Sequence, residues 1–241
     1  MTDEEKLQEF TQQVYLTIYG RRMDDIVDED GVEAVAKTII WANLFLDELE
    51  MEIDPDGTPT NWIFLRENDK KLGVISAEDI TFDLPTGGLR LVSDVDRPLF
   101  ILQDGSVIST WDVVDPNQIT KRGTYMAPRE QRVTYVNQKV VFSRPLNSTE
   151  VGGTAHADIM NSFPRLKNDD TTLFNLPLPR QLLVLGAAKN ASLPDIVQGG
   201  LSPSYAQKYA NLLDGAKAAN GQTSVADEAG YEDYSGIGGV W

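Results

Sequence analysis

Apolar side chains recur at helical spacing through the first fifty residues of the chain. Thr2 followed by Glu5 is a capping-box signature and predicts an amphipathic helix over residues 3–19. A second helix is predicted from Val32 onward, with acidic residues before it at the positive end of the helix dipole. We expect the two helices to pack as an antiparallel hairpin. The apolar positions of the second helix are Val32, Val35, Ala36, Ile39, Ile40, Leu44 and Leu46.

The period of the pattern changes between residues 89 and 142, where β-branched and aromatic residues predominate. Just before this region, residues 62–75 predict one more short helix, closed at Gly73. Asp104-Gly105 lies between two apolar runs and is a strong signal for a two-residue hairpin turn. A second hairpin is predicted across Asn137-Gln138. The middle of the chain is therefore expected to form a small antiparallel sheet set between helices.

Helical patterns return after Gly152-Gly153. Residues 155–165 predict a short helix, and residues 180–190 are apolar nearly all round, which is typical of a centrally buried helix. Ser202-Pro203 supplies an N-cap and a first-turn proline for the last helix, which is expected to fade by Gly221. We expect Leu182 to Leu185 to be buried with the N-terminal helices.

Together these elements predict an α+β fold: a helical bundle from the N- and C-terminal helices, an inserted small antiparallel β region and an extended C-terminal tail. The expected parts are an N-terminal helical part (1–84), the β region (85–150), C-terminal helices that complete the bundle (151–221) and the tail (222–241). The tail contains no lysine or arginine and is rich in glycine and acids, so on its own it should be mostly disordered.

Composition excludes several classes of function. The 241 residues include no cysteine, which rules out disulfides, thiolate zinc sites and cysteine nucleophiles. The formal charge of -16 opposes a general role in gripping nucleic acid, because such binding draws its affinity from neutralised phosphates. The acidity indicates either simple solubility or a surface that must not adhere to passing DNA. The N-terminus lacks a secretory pattern, and the apolar stretch 32–49 is too interrupted by polar residues to span a membrane.

No motif points to catalysis, a metal or a cofactor. His156 is the only histidine, and neither a Gly-x-Ser-x-Gly elbow nor a phosphate-binding loop is present. Residues 54–58 resemble the start of a calcium loop, but Leu65 occupies the place of the bidentate glutamate. We therefore predict a protein that is not an enzyme, although a carboxylate pair assembled only by folding stays open.

The tail carries the candidate partner-binding residues. Aromatic residues in a glycine-spaced segment are frequent binding anchors, and such a segment can become ordered on a partner. The alternative is that the tail packs on its own domain, since exposed aromatics are disfavoured in the free state. The candidate anchors are Tyr231, Tyr234, Ile237 and Trp241.

Four features together carry a family resemblance: the N-terminal helix pair, the segment 72–75 (Leu-Gly-Val-Ile), the run 182–188 and the helix that contains Tyr205 to Leu213. In this layout the chain resembles the head-to-tail adaptor (connector) proteins of tailed bacteriophages. The resemblance implies a structural virion protein of the phage neck, made in the host cytoplasm and located at the head-tail junction. It implies a homo-oligomeric ring, commonly twelve-fold, that docks under the portal protein and meets downstream tail or neck proteins. DNA would pass through the channel without specific binding, and the C-terminal extension would clasp the portal.

Two other functions remain open from the sequence. One is another neck or tail completion protein, such as a stopper or a tail-tube part. The other is a carbohydrate-binding module, whose aromatic platforms would come from Trp62, Trp111, Tyr125 and Tyr135.

Overall fold

A computed structural model describes residues 2–20, 31–54, 59–76, 81–92, 98–114, 131–137, 139–191 and 201–232. For residue 82 and residues 221–232 it describes the backbone only. The chain divides into two compact units, one formed by Met1–Phe64 with Phe163–Trp241 and the other by Leu65–Ser162. We refer to them as the helical unit and the β unit. Both ends of the chain thus belong to the helical unit, and the β unit is inserted between them in sequence.

The helical unit contains four described α-helices: α1 (Asp3–Tyr19), α2 (Gly31–Glu50), α3 (Arg180–Ala191) and α4 (Pro203–Glu232). The predicted capping box is confirmed, because the Thr2 hydroxyl accepts from the Glu5 N–H at 3.2 Å and the Glu5 carboxylate accepts from the Thr2 N–H at 2.7 Å. Gly20 ends α1 in the left-handed conformation (φ 65°) that glycine adopts without steric cost.

Helix α3 lies at the centre of this unit. All of its residues from Leu182 to Ala188 are buried, and it packs against both α1 and α2, which confirms the burial predicted for Leu182 to Leu185. Gly186 lets the two helices approach closely, because a Cβ at this position would lie only 2.3 Å from a ring carbon of Phe45 in α2. The core of the unit thus depends on contacts between the two ends of the chain.

The β unit is a mixed sheet that curls into a half-barrel. Along the sheet the strands lie in the order β1-β8-β4-β5-β6-β7-β2, and β3 also pairs with β8. All pairs are antiparallel except β5 with β6. The strands are β1 (Arg66–Val74), β2 (Thr81–Asp83), β3 (Gly88–Leu91), β4 (Leu99–Gln103), β5 (Ser106–Val113), β6 (Arg132–Val136), β7 (Lys139–Phe142) and β8 (Thr154–Asn161).

Both predicted hairpins form. Asp104 and Gly105 join β4 to β5 with φ values of 51° and 76°, and this pair of positive φ values is that of the type I′ turn expected for Asp-Gly. Strands β6 and β7 also pair as a hairpin, with Asn137 at φ 51°, while Gln138 lies outside the described residues. In both hairpins the register next to the turn is that of a two-residue loop.

The predicted fold class is wrong about the β region. Instead of a small antiparallel insert in a helical bundle, the chain builds a mixed sheet of eight described strands with its own apolar core. Residues 66–74 and 154–161, which lie in segments predicted to be helical, form β1 and β8. In β8 Ala155, Ala157 and Ile159 belong to the core, and this period of two was obscured because two of the three are small.

The last helix also differs from the prediction. Its backbone continues to Glu232, whereas the sequence predicted that the helix would fade by Gly221 and that residues 222–241 would be extended. Alanine is the commonest residue between positions 216 and 229 and favours helix, and each interior glycine costs only about 1 kcal/mol. Residues 233–241 lie outside the described part of the chain.

A buried carboxylate, Glu150, stabilises the β unit. Its oxygens accept from the Asn147 backbone N–H at 2.6 Å and from both terminal nitrogens of Arg144 at 3.2 and 3.3 Å. Burial works to raise the pKa of Glu150, but the hydrogen bonds from Asn147, Arg144 and the Ser109 hydroxyl together hold this pKa below its usual range.

Glu150→Gln should therefore change how the stability of the β unit depends on pH. Because the folded pKa is depressed, ionised Glu150 contributes fully above the ordinary glutamate pKa of about 4.3, and the contribution is lost as the pH falls through the lower folded value. Urea unfolding from neutral to acidic pH should show the variant less stable at neutral pH and converging with the wild type in acid. Asp112→Asn, a change to an exposed acid on β5, is the control. Parallel curves for wild type and Glu150→Gln would contradict this role.

Candidate functional site

The predicted partner-binding residues lie at the end of α4 and beyond it. Tyr231 is in the last turn of the α4 backbone, while Tyr234, Ile237 and Trp241 fall outside the described residues. The preceding turns of α4 are held by contacts with the helical unit.

Helix α4 is fixed to the helical unit along its middle. The Tyr209 ring packs edge-on against Phe45, with 6.0 Å between ring centroids, and the Lys217 ammonium pairs with Glu52 at 2.7 Å. Asn220 accepts from the Ile63 N–H at 2.7 Å and donates to the Asn61 carbonyl at 2.6 Å. Beyond these contacts the helix continues for about three turns to Glu232. Tyr231 thus lies near the end of a helix that is attached to the rest of the helical unit, and the other candidate anchors follow this helix in sequence.

Tyr209 also lies in an electrostatically distinctive place. Burial, followed by the neighbouring charges of Glu48 and Glu52, raises the pKa of Tyr209 to about 12. The Lys189 ammonium lies 5.4 Å from the centroid of its ring, a cation–π distance. Because the phenol stays neutral across the physiological range, Tyr209 acts as a packing residue that attaches α4 to α2 and α3.

A polar cluster occupies one face of the β1–β8 pair. Asp158 accepts from Arg66 at 2.7 Å and from the Asp69 backbone N–H at 2.8 Å, and Nδ1 of His156 lies 3.2 Å from the Asp69 carboxylate. Asp69 has φ 50° in the irregular stretch of β1 between Glu67 and Lys70. In this cluster Nδ1 of His156 thus faces a carboxylate. The bonds of the cluster serve to hold the bulge in β1.

The aromatic residues proposed as carbohydrate platforms are mostly unsuited to that role. Trp62 and Trp111 are 1% and 0% exposed, and the indole N–H groups donate to the Leu49 carbonyl and to the Ser109 hydroxyl. Tyr135 is half-buried, and Tyr125 lies outside the described residues. A flat platform for a sugar ring needs an exposed face, which neither tryptophan offers.

Within the described ranges, no group of three or more histidines and acids could hold a metal ion. Asp54, at the start of the calcium-like sequence, accepts a hydrogen bond from the Thr60 hydroxyl at 2.6 Å, and residues 55–58 lie outside the description. Among the described helices, none is long and apolar enough to cross a membrane.

Sequence reasoning missed an exposed apolar row on α2. It placed Ile40 and Leu44 together with buried positions, yet in the structure they are 58% and 48% exposed, and Met51, just after the helix, is 72% exposed. We call Ile40, Leu44 and Met51 the outer stripe. The opposite face of α2 is buried and consists of Ala34, Thr38, Ala42, Phe45, Leu46 and Leu49. The spacing of the outer stripe, four and then seven residues, is a helical repeat that could have revealed it.

Comparison with known proteins gives no relative: no family model matches the chain, and no curated protein matches it. The described surface offers two features suited to protein contact, the outer stripe and the anchored α4. The polar clusters around Asp158 and Glu150, in contrast, form their hydrogen bonds within the chain.

Proposed function

We propose that this chain is a structural virion protein of the bacteriophage neck, a head-to-tail adaptor that forms a ring under the portal and continues the DNA channel. The observation that carries the proposal is the attachment of α4. A helix fixed by Tyr209, Lys217 and Asn220 leads directly into a segment with Tyr234, Ile237 and Trp241. Aromatic residues that follow an attached helix in sequence are suited to act as anchors on a partner.

The order of elements supports the same proposal. Helices from both chain ends build one unit, as the resemblance to adaptors implies, and the β unit enters between them as an insertion in sequence. In an adaptor ring the helical unit would form the wall.

The charge supports a channel role. A formal charge of -16 on each copy would give a ring a strongly negative field, which repels the phosphates of passing DNA. Repulsion prevents the counterion-releasing contacts by which proteins hold DNA, so the duplex would slide without specific binding. The chain would act as a structural part and not as an enzyme.

Removal of residues 233–241 tests the proposal, because it leaves the described length of α4 intact. We expect a folded protein whose affinity for purified portal rings falls by roughly a hundredfold or more, since buried aromatic anchors typically contribute 2 kcal/mol or more each. Biolayer interferometry on immobilised portal measures the affinity, and circular dichroism checks the fold.

Tyr205→Ala is the matched control, because it removes an aromatic side chain from the exposed first turns of α4 instead. It should leave portal binding unchanged. Undiminished binding by the shortened chain would contradict the role of the anchors. If the full-length chain does not bind portal but assembles on tail or other neck proteins, the stopper or tail-tube alternative is favoured.

A further inference from the structure

The outer stripe belongs to a longer row of positions along α2, and the spacing of this row is the same from either end. Residues 33, 37, 40, 44, 47 and 51 are separated by four, three, four, three and four positions, the spacing of one face of a helix that packs against another helix. Reversing the chain direction leaves this spacing unchanged. The row can therefore face a second copy of itself in antiparallel orientation.

We propose that two copies of the chain pair through α2, antiparallel, about a local two-fold axis near the Ile40–Leu44 turn. The proposal does not rest on the neck role and concerns the free chain, because a two-fold pair reverses one copy and cannot join neighbours in a ring whose copies all point the same way. Helix α2 buries one face in its own unit while its outer stripe remains about half or more exposed. A helix that is apolar on both sides needs a second partner, and an identical stripe supplies one of matching length.

The register places complementary residues opposite one another. Ile40 of one copy meets Leu44 of the other, and the two-fold axis repeats this apolar layer. On either side Lys37 faces Asp47 of the second copy, and Glu33 faces Met51. No like charges are opposed along the row, whereas a parallel pairing would set Lys37 against Lys37 and Asp47 against Asp47. Charge complementarity thus selects the antiparallel arrangement.

The charged partners are accessible for this pairing. The side chains of Lys37 and Asp47 are 39% and 46% exposed. Within one copy, Lys37 pairs with Glu33 at 3.1 Å and Asp47 with Arg165 at 2.6 Å. The intermolecular pair would join these two existing pairs into one network across the interface, and networks stabilise more than isolated surface pairs do.

The absence of cysteine from the chain permits a direct test by disulfide trapping. Chains carrying Glu33→Cys are mixed with chains carrying Met51→Cys and oxidised. The antiparallel register brings residue 33 of one chain beside residue 51 of the other, so the mixed dimer should be the main product. Residue 33 of one chain would lie about 27 Å from residue 33 of the other, because positions 33 and 51 are eighteen residues apart along the helix. Dimers of Glu33→Cys with itself would indicate a parallel pairing and overturn the proposal.

Sedimentation equilibrium of the cysteine-free chain gives a second readout. Leu44→Lys should weaken self-association by roughly a hundredfold, because each dimer loses the central contact twice. Val107→Lys, at a 55% exposed position on β5, is the control and should leave self-association unchanged. A wild-type chain that stays monomeric at high concentration, or equal association of all three proteins, would overturn the pairing. The pairing would also be overturned if a different protein bound the outer stripe and Leu44→Lys weakened only that complex.

Discussion

Replacing Gly186 by valine is expected to destabilise the helical unit by about 3 kcal/mol, because the new side chain has no room. A Cβ at this position would lie 2.3 Å from Cγ of Phe45 and 2.5 Å from both of its Cδ atoms. Phe45 is fully buried, so its ring has no solvent to move into. The ring also packs against Tyr209, which means that a displaced Phe45 would loosen the attachment of α4 as well. Urea unfolding followed by far-ultraviolet circular dichroism measures the effect.

Gly215→Ala provides the matched control, because it also adds a side chain to a helical glycine. Apart from its two chain neighbours and the nearby backbone of its own helix, nothing lies within 4 Å of the position that its Cβ would take. The gain in helix propensity should therefore appear unopposed, as a stabilisation of up to about 1 kcal/mol. Gly186→Val with wild-type stability would show that α2 and α3 do not pack as closely as described.

The helical elements could be predicted because their signals are local. The capping box of Thr2 and Glu5 and the left-handed Gly20 fix both ends of α1 from neighbouring residues. The nearly uniform apolar character of residues 182–188 likewise predicted burial of α3. Asp104-Gly105 set a hairpin in the same way, since the turn residues decide the register next to the turn, as far as the irregularity between Ile101 and Leu102.

The sheet could not be predicted because its pairing partners are distant in sequence. Strand β1 pairs with β8, which follows it by about eighty residues, so neither strand has a local signal for the other. The composition of β1 adds to the difficulty, since it consists largely of charged and amide residues with an irregular register at Asp69. The polar composition protects such an edge strand against pairing with other chains. The same composition makes its sequence look like that of a loop or helix.

The candidate surfaces show the same division between what is local and what is not. The composition of the tail identified Tyr231, Tyr234, Ile237 and Trp241 as candidate anchors, and their role stays a prediction. The outer stripe was concealed because α2 is apolar on two faces, and the spacing of apolar residues does not tell which face is covered. The packing of α1 and α3 against α2 decides which face is covered, and it leaves Ile40 and Leu44 exposed.

Replacing Trp111 by alanine is expected to destabilise the β unit by about 3–5 kcal/mol, the usual cost of truncating a fully buried aromatic residue. The Trp111 ring meets the edge of Phe142 with 4.7 Å between centroids, and the Arg144 guanidinium lies 4.5 Å from the ring centroid. Arg144 in turn holds buried Glu150, so the cavity would reach an ion pair as well as the apolar core. Thermal and urea unfolding with a tertiary-structure probe measure the loss, and Val107→Ala on the same strand should change stability by less than about 0.5 kcal/mol.

A double-mutant cycle with Glu150→Gln tests the connection between the Trp111 ring and the ion pair. If the ring orients Arg144 toward Glu150, then Trp111→Ala already loses part of the stability that the carboxylate contributes. The double variant should therefore lose less stability than the sum of the two single losses, by about 0.5 kcal/mol or more. The acid sensitivity assigned to Glu150 should also be smaller in Trp111→Ala, because a less well-held guanidinium lowers the pKa of Glu150 less. Strictly additive losses would mean that Arg144 keeps its position without the indole, so that the cation–π contact follows from the ion pair instead of supporting it.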